Sequence, residues 1–233
     1  MFVIKIYGLQ KLSLLDYPEK TACTIFTGGC NWRCPFCHNA SLVTNLNDAN
    51  TIDEEDVFCF LSKRQNILDG VCISGGEPLM QPDIIEFVNK IKSLGYSIKI
   101  DTNGSYPKVL EELINKKLVD YVAMDIKNSP ENYPKTVGLA DINLSNIIQS
   151  AAILKTNKVD YEFRTTVVKE FHISEDFNAI AQWLKGANKY YLQSFVDSGN
   201  IIGNNFSAYT KEELEGFKAI LSLTIQNVEI RGM

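Results

Sequence analysis

Three cysteines share one short segment, Gly28-Gly29-Cys30-Asn31-Trp32-Arg33-Cys34-Pro35-Phe36-Cys37-His38-Asn39, in a CxxxCxxC spacing. Thiolates are soft ligands that suit iron–sulfur clusters, and three from one loop can wrap three corners of a four-iron cage. The fourth iron is then left without a protein ligand and can bind whatever receives the cluster's electron. Other chemistries stay open at this point. Cys34-Pro35-Phe36-Cys37-His38 matches the C-x-x-C-H pattern of haem attachment, but that leaves Cys30 unexplained and no export signal accompanies it. Cys30, Cys34, Cys37 and His38 could form a Cys₃His zinc site, although neighbouring Cys37 and His38 reach one tetrahedral ion with difficulty. A thioredoxin-like pair of Cys34 and Cys37 again gives the third cysteine no role. Cys23, Cys59 and Cys72 sit in apolar runs and are expected to be buried small hydrophobes.

A second motif follows, Ser74-Gly75-Gly76-Glu77-Pro78. Two glycines let a ligand approach backbone amides and carbonyls that side chains would otherwise block. Alone, the segment reads equally as a βα turn with Pro78 ending a strand. Paired with the cysteine loop it resembles the radical S-adenosylmethionine superfamily. The resemblance implies a [4Fe-4S] cluster on Cys30, Cys34 and Cys37, with S-adenosylmethionine chelating the open iron through its amino and carboxylate groups. Electron transfer then breaks the sulfonium's bond to C5′ and yields a 5′-deoxyadenosyl radical. By the same resemblance Gly75, Gly76 and Glu77 bind the cofactor, with Glu77 paired to its ammonium, and Phe36 lies near adenine or packs under the loop.

Leu12-Ser13-Leu14-Leu15-Asp16-Tyr17-Pro18, Asp101-Thr102-Asn103-Gly104 and Met124-Asp125-Ile126-Lys127 narrow the likeness to the glycyl-radical-enzyme activating group, over a span that reaches Val228-Glu229-Ile230-Arg231-Gly232. This implies a glycyl radical enzyme as partner, the anaerobic ribonucleoside-triphosphate reductase before pyruvate formate-lyase, and a flavodoxin- or ferredoxin-type electron donor. It also implies a monovalent-cation site at Asp101, Thr102 and Asp125, cofactor contacts from Asp101 and Asn103, and neutralisation of the cofactor's carboxylate by Lys127 and Arg164. The bland alternative makes Asp125 and Lys127 a solvated pair and Arg164 structural. Gln193 stands where a related activase has a histidine. His172 is remote from every motif and is expected at a surface or strand end. A different function class also fits the motifs: a radical enzyme acting on a small molecule, similar to 7-carboxy-7-deazaguanine synthase.

These groups are dispersed in sequence, so the fold must gather them. The chain has 233 residues, 45% hydrophobic and 22% charged, which is enough for one sizeable core, and a single domain over 1–233 is expected. A net charge of −5 argues against a nucleic-acid surface. Without a signal peptide or an unbroken apolar run of roughly 18 residues, no membrane is expected and the location is read as cytoplasmic. Strand-like runs at Thr21–Phe26, Gly70–Ile73, Tyr96–Ile100, Tyr121–Ile126, Tyr161–Val168, Lys189–Leu192 and Asn227–Ile230 alternate with helix-like segments. Thr51/Glu54 and Thr210/Glu213 have capping-box spacing, and Ser174 opens another apolar-striped segment. Such βα alternation predicts an α/β fold with every parallel strand ending on one rim, and the resemblance specifies a partial (β/α)6 TIM-like barrel.

Overall fold

The computed structural model describes residues 4–46 and 50–232. The elements are β1 (Ile6–Ser13), β2 (Ala22–Thr27), α1 (Ser41–Thr44), α2 (Glu54–Ser62), β3 (Gly70–Gly75), α3 (Ile84–Ser93), β4 (Ser97–Thr102) and α4 (Pro107–Asn115). They continue as β5 (Tyr121–Asp125), α5 (Tyr133–Val137), α6 (Leu144–Leu154), β6 (Asp160–Val167), α7 (Ser174–Trp183), β7 (Lys189–Ser194), α8 (Lys211–Leu221) and β8 (Asn227–Arg231). The eight strands form one sheet in chain order. β1 runs antiparallel to β2, and each strand from β2 to β8 is parallel to the next. Strands β1 and β8 each have one strand neighbour, so the barrel is open along that seam.

The seven parallel strands coincide with the runs read from sequence, one more than the six units expected, and β1 is an addition. Its middle residues are half-buried or exposed and include Gln10 and Lys11, so this edge strand lacks the apolar run that betrays its neighbours. Strand β3, by contrast, begins with four buried residues, as expected when both faces of a parallel strand are covered. The covering layer is built from striped helices: Ile84, Phe87, Val88 and Ile91 of α3 are buried, as are Leu110, Leu113 and Ile114 of α4. Gly95, just past α3, takes φ +91°, the left-handed conformation that ends a helix at least cost in glycine.

Capping was read correctly at one helix and misplaced at another, and α7 opens at Ser174 as read. Thr210 Oγ1 accepts from Glu213 N–H, and the Glu213 carboxylate accepts from Thr210 N–H. Helix α2 instead starts at Glu54 behind Asp53, leaving Thr51 outside. Before α7 the Ile173 N–H donates to the Asp176 carboxylate, so the cap lies one residue ahead of Ser174. Cys23 and Cys72 are buried as expected, but Cys59 is exposed, because it falls on the outer face of α2.

Polar residues project into the barrel as well. At the end opposite the cysteine loop, Glu162 of β6 is 1% exposed and accepts from both terminal nitrogens of Arg231 (2.8 and 3.0 Å) and from the Tyr121 hydroxyl (2.8 Å). This bidentate pair ties the last strand to the sheet interior. Replacing Arg231 by Met leaves the buried carboxylate with the tyrosine alone; stability falls by about 1–3 kcal/mol, read as a lower urea midpoint, and an unchanged midpoint would show that water replaces the guanidinium at no cost.

Candidate functional site

The cysteine segment leaves β2 at the barrel rim and is anchored on both sides. Arg33 N–H donates to Val137 C=O of α5 (3.0 Å), while Arg33 Nη1 donates to the carbonyls of Cys30 (2.7 Å) and Trp32 (2.8 Å). The Trp32 ring meets Tyr133 edge-on at 5.8 Å, and Phe36 packs on Phe171 at 5.3 Å. All three thiols face one cavity of about 400 Å³, a volume within the range of small-molecule sites. Burial pushes the Cys30 thiol up to about 11 and Cys34 up to about 12, with Lys127 pulling both partway back. Burial therefore disfavours a free thiolate at Cys30 and Cys34, and a bound metal supplies the positive charge that makes the thiolate form favourable.

The donor set fits an iron–sulfur cluster better than zinc. His38 turns its Nε2 to the Val196 carbonyl (2.8 Å) and stacks on Phe195, committing the fourth ligand of a Cys₃His site elsewhere. Among the described residues no three His, Cys, Asp or Glu side chains converge as a mononuclear ion requires. The corners of a cubane are separate points and make no such demand.

The glycine turn is laced to this loop. Gly76 N–H donates to Thr27 C=O and Glu77 N–H to Gly29 C=O, at 3.0 and 2.8 Å. A Cβ on Gly75, whose φ is +125°, would lie 2.1 Å from Thr27 O, and one on Gly76 would lie 2.0 Å from Gly29 O. Only glycine permits that approach. Both glycines line the cavity. Glu77 does not. Its carboxylate is wholly buried and accepts from Leu79 N–H (3.0 Å), Thr102 Oγ1 (2.8 Å) and Asn103 N–H (2.7 Å). The direct salt bridge to a ligand ammonium expected of Glu77 is thus replaced by a different task, knotting the turns after β3 and β4 together. Burial pushes its carboxyl up to about 7 against the pull of these donors.

Strands β4, β5 and β6 deliver a chain of charges to the cavity. Lys99 pairs with Asp101; Arg164 bridges Asp101 (3.2 Å) and Asp125 (2.5 Å); Lys127 holds the other oxygen of Asp125 (2.8 Å). Burial alone would raise Asp101 and Asp125, but Arg164 with Lys99 and Lys127 holds both carboxyls below the ordinary aspartate value. Within this network three cations meet two anions, a surplus of one positive charge suited to a carboxylate, while Asp16, its carboxylate held by Thr24 Oγ1, adds a third acidic group to the cavity wall. This pairing corrects one expectation. Asp101, Thr102 and Asp125 do not form an open cation cage: both carboxylates are occupied by side-chain cations, and Thr102 Oγ1 is turned to Glu77. Asp125 and Lys127 are a part-buried pair on the cavity wall, as the preferred reading has them, and not the solvated pair of the bland alternative. Asp101, Asp125, Lys127 and Arg164 line the cavity together with Phe36, Thr102, Asn103 and Gln193, so the expected groups other than Glu77 do converge.

Several residues here were not anticipated. Asp16 lines the cavity, its carboxylate accepting from Thr24 Oγ1 (2.6 Å), and Ser74, Asn39 and Thr166 line it too. His172, expected at a surface or strand end, lies past the end of β6 but is fully buried: its Nε2 lies 2.8 Å from the Lys127 carbonyl and its Nδ1 3.1 Å from Val168 N. The Lys127 carbonyl accepts from a protonated Nε2, while Nδ1 faces both the N–H and, at 3.2 Å, the carbonyl of Val168. Lys127 N–H donates to the Tyr133 hydroxyl (3.1 Å), so the backbone of Lys127 is held at its N–H and at its C=O by aromatic residues that also pack on the cysteine loop, Tyr133 on Trp32 and His172 on Phe36. A lone histidine 45 residues from Lys127 carries no sequence signal of that contact.

Two outcomes follow from this geometry. Glu77→Gln sets an amide donor against the Asn103 N–H and lowers stability by about 1–3 kcal/mol in urea unfolding; retention of full stability would remove the knot. Burial lowers the His172 pKa below its ordinary 6.5. The folded state then binds fewer protons at this site than the unfolded chain, so its contribution is complete above about pH 6.5 and declines as pH falls below that. Subtracting the stability–pH profile of His172→Gln from that of the unaltered chain isolates the term, and parallel profiles would show that His172 does not titrate on unfolding.

Comparison with known proteins agrees with this site. The model of the Radical SAM superfamily matches residues 24–184. The chain is 38% identical, over 97% of its length and 95% of the relative's, to the candidate glycyl-radical enzyme activating enzyme MJ1227 of Methanocaldococcus jannaschii. It is 31% identical over 142 residues to the pyruvate formate-lyase-activating enzyme of Listeria monocytogenes, covering 56% of each chain. The structure of Streptococcus suis SuiB bound to S-adenosylmethionine superposes with a TM-score of 0.67 at 16% identity, over 88% of this chain and 48% of that one, which shows a shared fold. With the cysteine loop, the glycine turn and the rim charges on the strands that carry them, this chain belongs to the radical SAM superfamily, enzymes that use a [4Fe-4S] cluster and S-adenosylmethionine.

Proposed function

We propose that this protein activates a partner enzyme by removing one hydrogen atom from a glycine Cα in a loop of that partner, leaving a glycyl radical. The observation that carries the reading is the shared cavity: three thiols and a cationic network meet at the rim of one barrel. When bound, the cluster and S-adenosylmethionine supply a 5′-deoxyadenosyl radical that takes the hydrogen atom, with one electron delivered by a flavodoxin- or ferredoxin-type donor. Cys30, Cys34 and Cys37 would hold three irons of the cluster. Arg164 and Lys127, fixed by Asp125, would receive the cofactor's carboxylate, and Gly75 and Gly76 would admit its methionyl part against the backbone. Phe36, Asn103 and Gln193 would complete the walls.

The near-full-length likeness to MJ1227 supports an activase over a small-molecule enzyme. For the partner we favour an anaerobic ribonucleoside-triphosphate reductase on the motif resemblance, with pyruvate formate-lyase as the second candidate on the 31% identity over 142 residues to the Listeria activator. Anaerobic incubation of the reconstituted protein with reductant, S-adenosylmethionine and the host's reductase yields a glycine-centred doublet in electron paramagnetic resonance, and Cys34→Ala yields none. A doublet on pyruvate formate-lyase alone would transfer the assignment to that partner. Cofactor cleavage without a doublet on either protein would overturn the activase reading.

A further inference from the structure

Lys99 is the one member of the charge network that does not line the cavity, and its ammonium group sits inside the barrel behind Asp101. Its side chain is 3% exposed. It projects from β4 on the same side as Asp101, two residues on, and pairs with Asp101 Oδ1, while Cys72 Sγ of β3 lies 3.7 Å from its Nζ. Burial pushes the Cys72 thiol up, so this neighbour stays neutral and leaves the ammonium's charge to Asp101. The second oxygen of Asp101 accepts from Ser74 Oγ (3.0 Å) and faces Arg164 Nη2 (3.2 Å). Both oxygens of the carboxylate are therefore satisfied from within the chain.

The charge balance turns on this one residue. With Lys99, the network of Lys99, Asp101, Arg164, Asp125 and Lys127 carries one excess positive charge and can accept an anion. Without it, the remaining two cations and two carboxylates cancel, Asp101 loses its closest counter-ion, and Arg164 is drawn more fully to the aspartates. A buried carboxylate deprived of its partner recruits a cation from solution where one fits. Neither Asp16, bound by Thr24, nor Glu77, enclosed by Thr102 and Asn103, pairs with Lys99.

We propose that Lys99 is a built-in counter-cation for Asp101, standing where a monovalent metal ion was expected, so that this protein binds S-adenosylmethionine without requiring sodium or potassium. The inference rests on reading the cavity as the cofactor's site and not on the identity of the protein partner. Lys99 is a positioning residue: it acts through Asp101 on Arg164.

The test is S-adenosylmethionine affinity of the anaerobically reconstituted holoenzyme, by calorimetry in tetramethylammonium, sodium and potassium chloride at equal ionic strength. The unaltered protein binds with the same affinity, within about twofold, in all three salts. Lys99→Met, its fold verified by circular dichroism, binds about tenfold more weakly in tetramethylammonium chloride and regains affinity when sodium or potassium is added. Lys99→Arg retains both affinity and salt-independence. An increase of more than about fivefold in wild-type affinity on adding either metal ion would overturn the proposal, and that measurement needs no variant. Lys99→Met binding as tightly as wild type in tetramethylammonium would overturn it as well. Absence of binding by the unaltered holoenzyme in every salt would remove the cavity reading itself, and the role of Lys99 with it.

Discussion

A chain of five charges enclosed by the barrel is the constraint on which the rest of this structure depends. Withdrawing charged groups from water costs several kcal/mol each, and mutual attraction repays that only where every group is paired and hydrogen-bonded. Here the pairing is continuous, from Lys99 through Asp101, Arg164 and Asp125 to Lys127. Because the members come from three adjacent parallel strands, their spacing is set by strand register: Asp125 is directly opposite Arg164, and Asp101 lies one strand further. Well-packed apolar replacements of buried ion pairs are often neutral or stabilising, so the network is better understood as machinery than as cement. It holds a positive surplus facing a cavity, without a flexible surface lysine to be ordered when a ligand arrives.

The thiols pose the opposite problem. Burial raises Cys30 and Cys34 well above neutral pH, offset only in part by the Trp32 N–H at Cys30 and by Lys127 at both. The loop is thus electrostatically incomplete until a metal centre supplies charge. What the protein contributes is position. Backbone hydrogen bonds from the glycine turn to Thr27 and Gly29, the contacts of Arg33 with its own loop, and the aromatic packing of Trp32 and Phe36 fix the segment before any cofactor is considered. Groups without a reactive role, Glu77, Tyr133 and His172, set the geometry of groups that have one, as supporting shells around metal sites commonly do.

These two halves meet at the rim because the topology leaves them no other place. Parallel strands joined by helical crossovers share one polarity, so loops that follow β2, β3, β4 and β5 gather at the same end. The open seam between β1 and β8 leaves the barrel incomplete along one side.

The amino-acid sequence alone carried the chemistry and much of the architecture. The cysteine spacing, the glycine pair and the βα alternation are local signals, since ligand spacing, positive φ and apolar periodicity are all expressed within a few neighbouring residues. The seven parallel strands and the convergence of Asp101, Asp125, Lys127, Arg164 and Gln193 were legible for that reason. What only the tertiary structure decided was partnership. Whether Glu77 faces a ligand or the amide of Asn103, whether Asp101 takes a metal ion or Lys99, and whether His172 lies at the surface or behind Lys127 depend on contacts between segments far apart in the chain. Side-chain type states which bonds a residue can make; the fold selects among them, because a buried polar group must take the partner that packing places within reach.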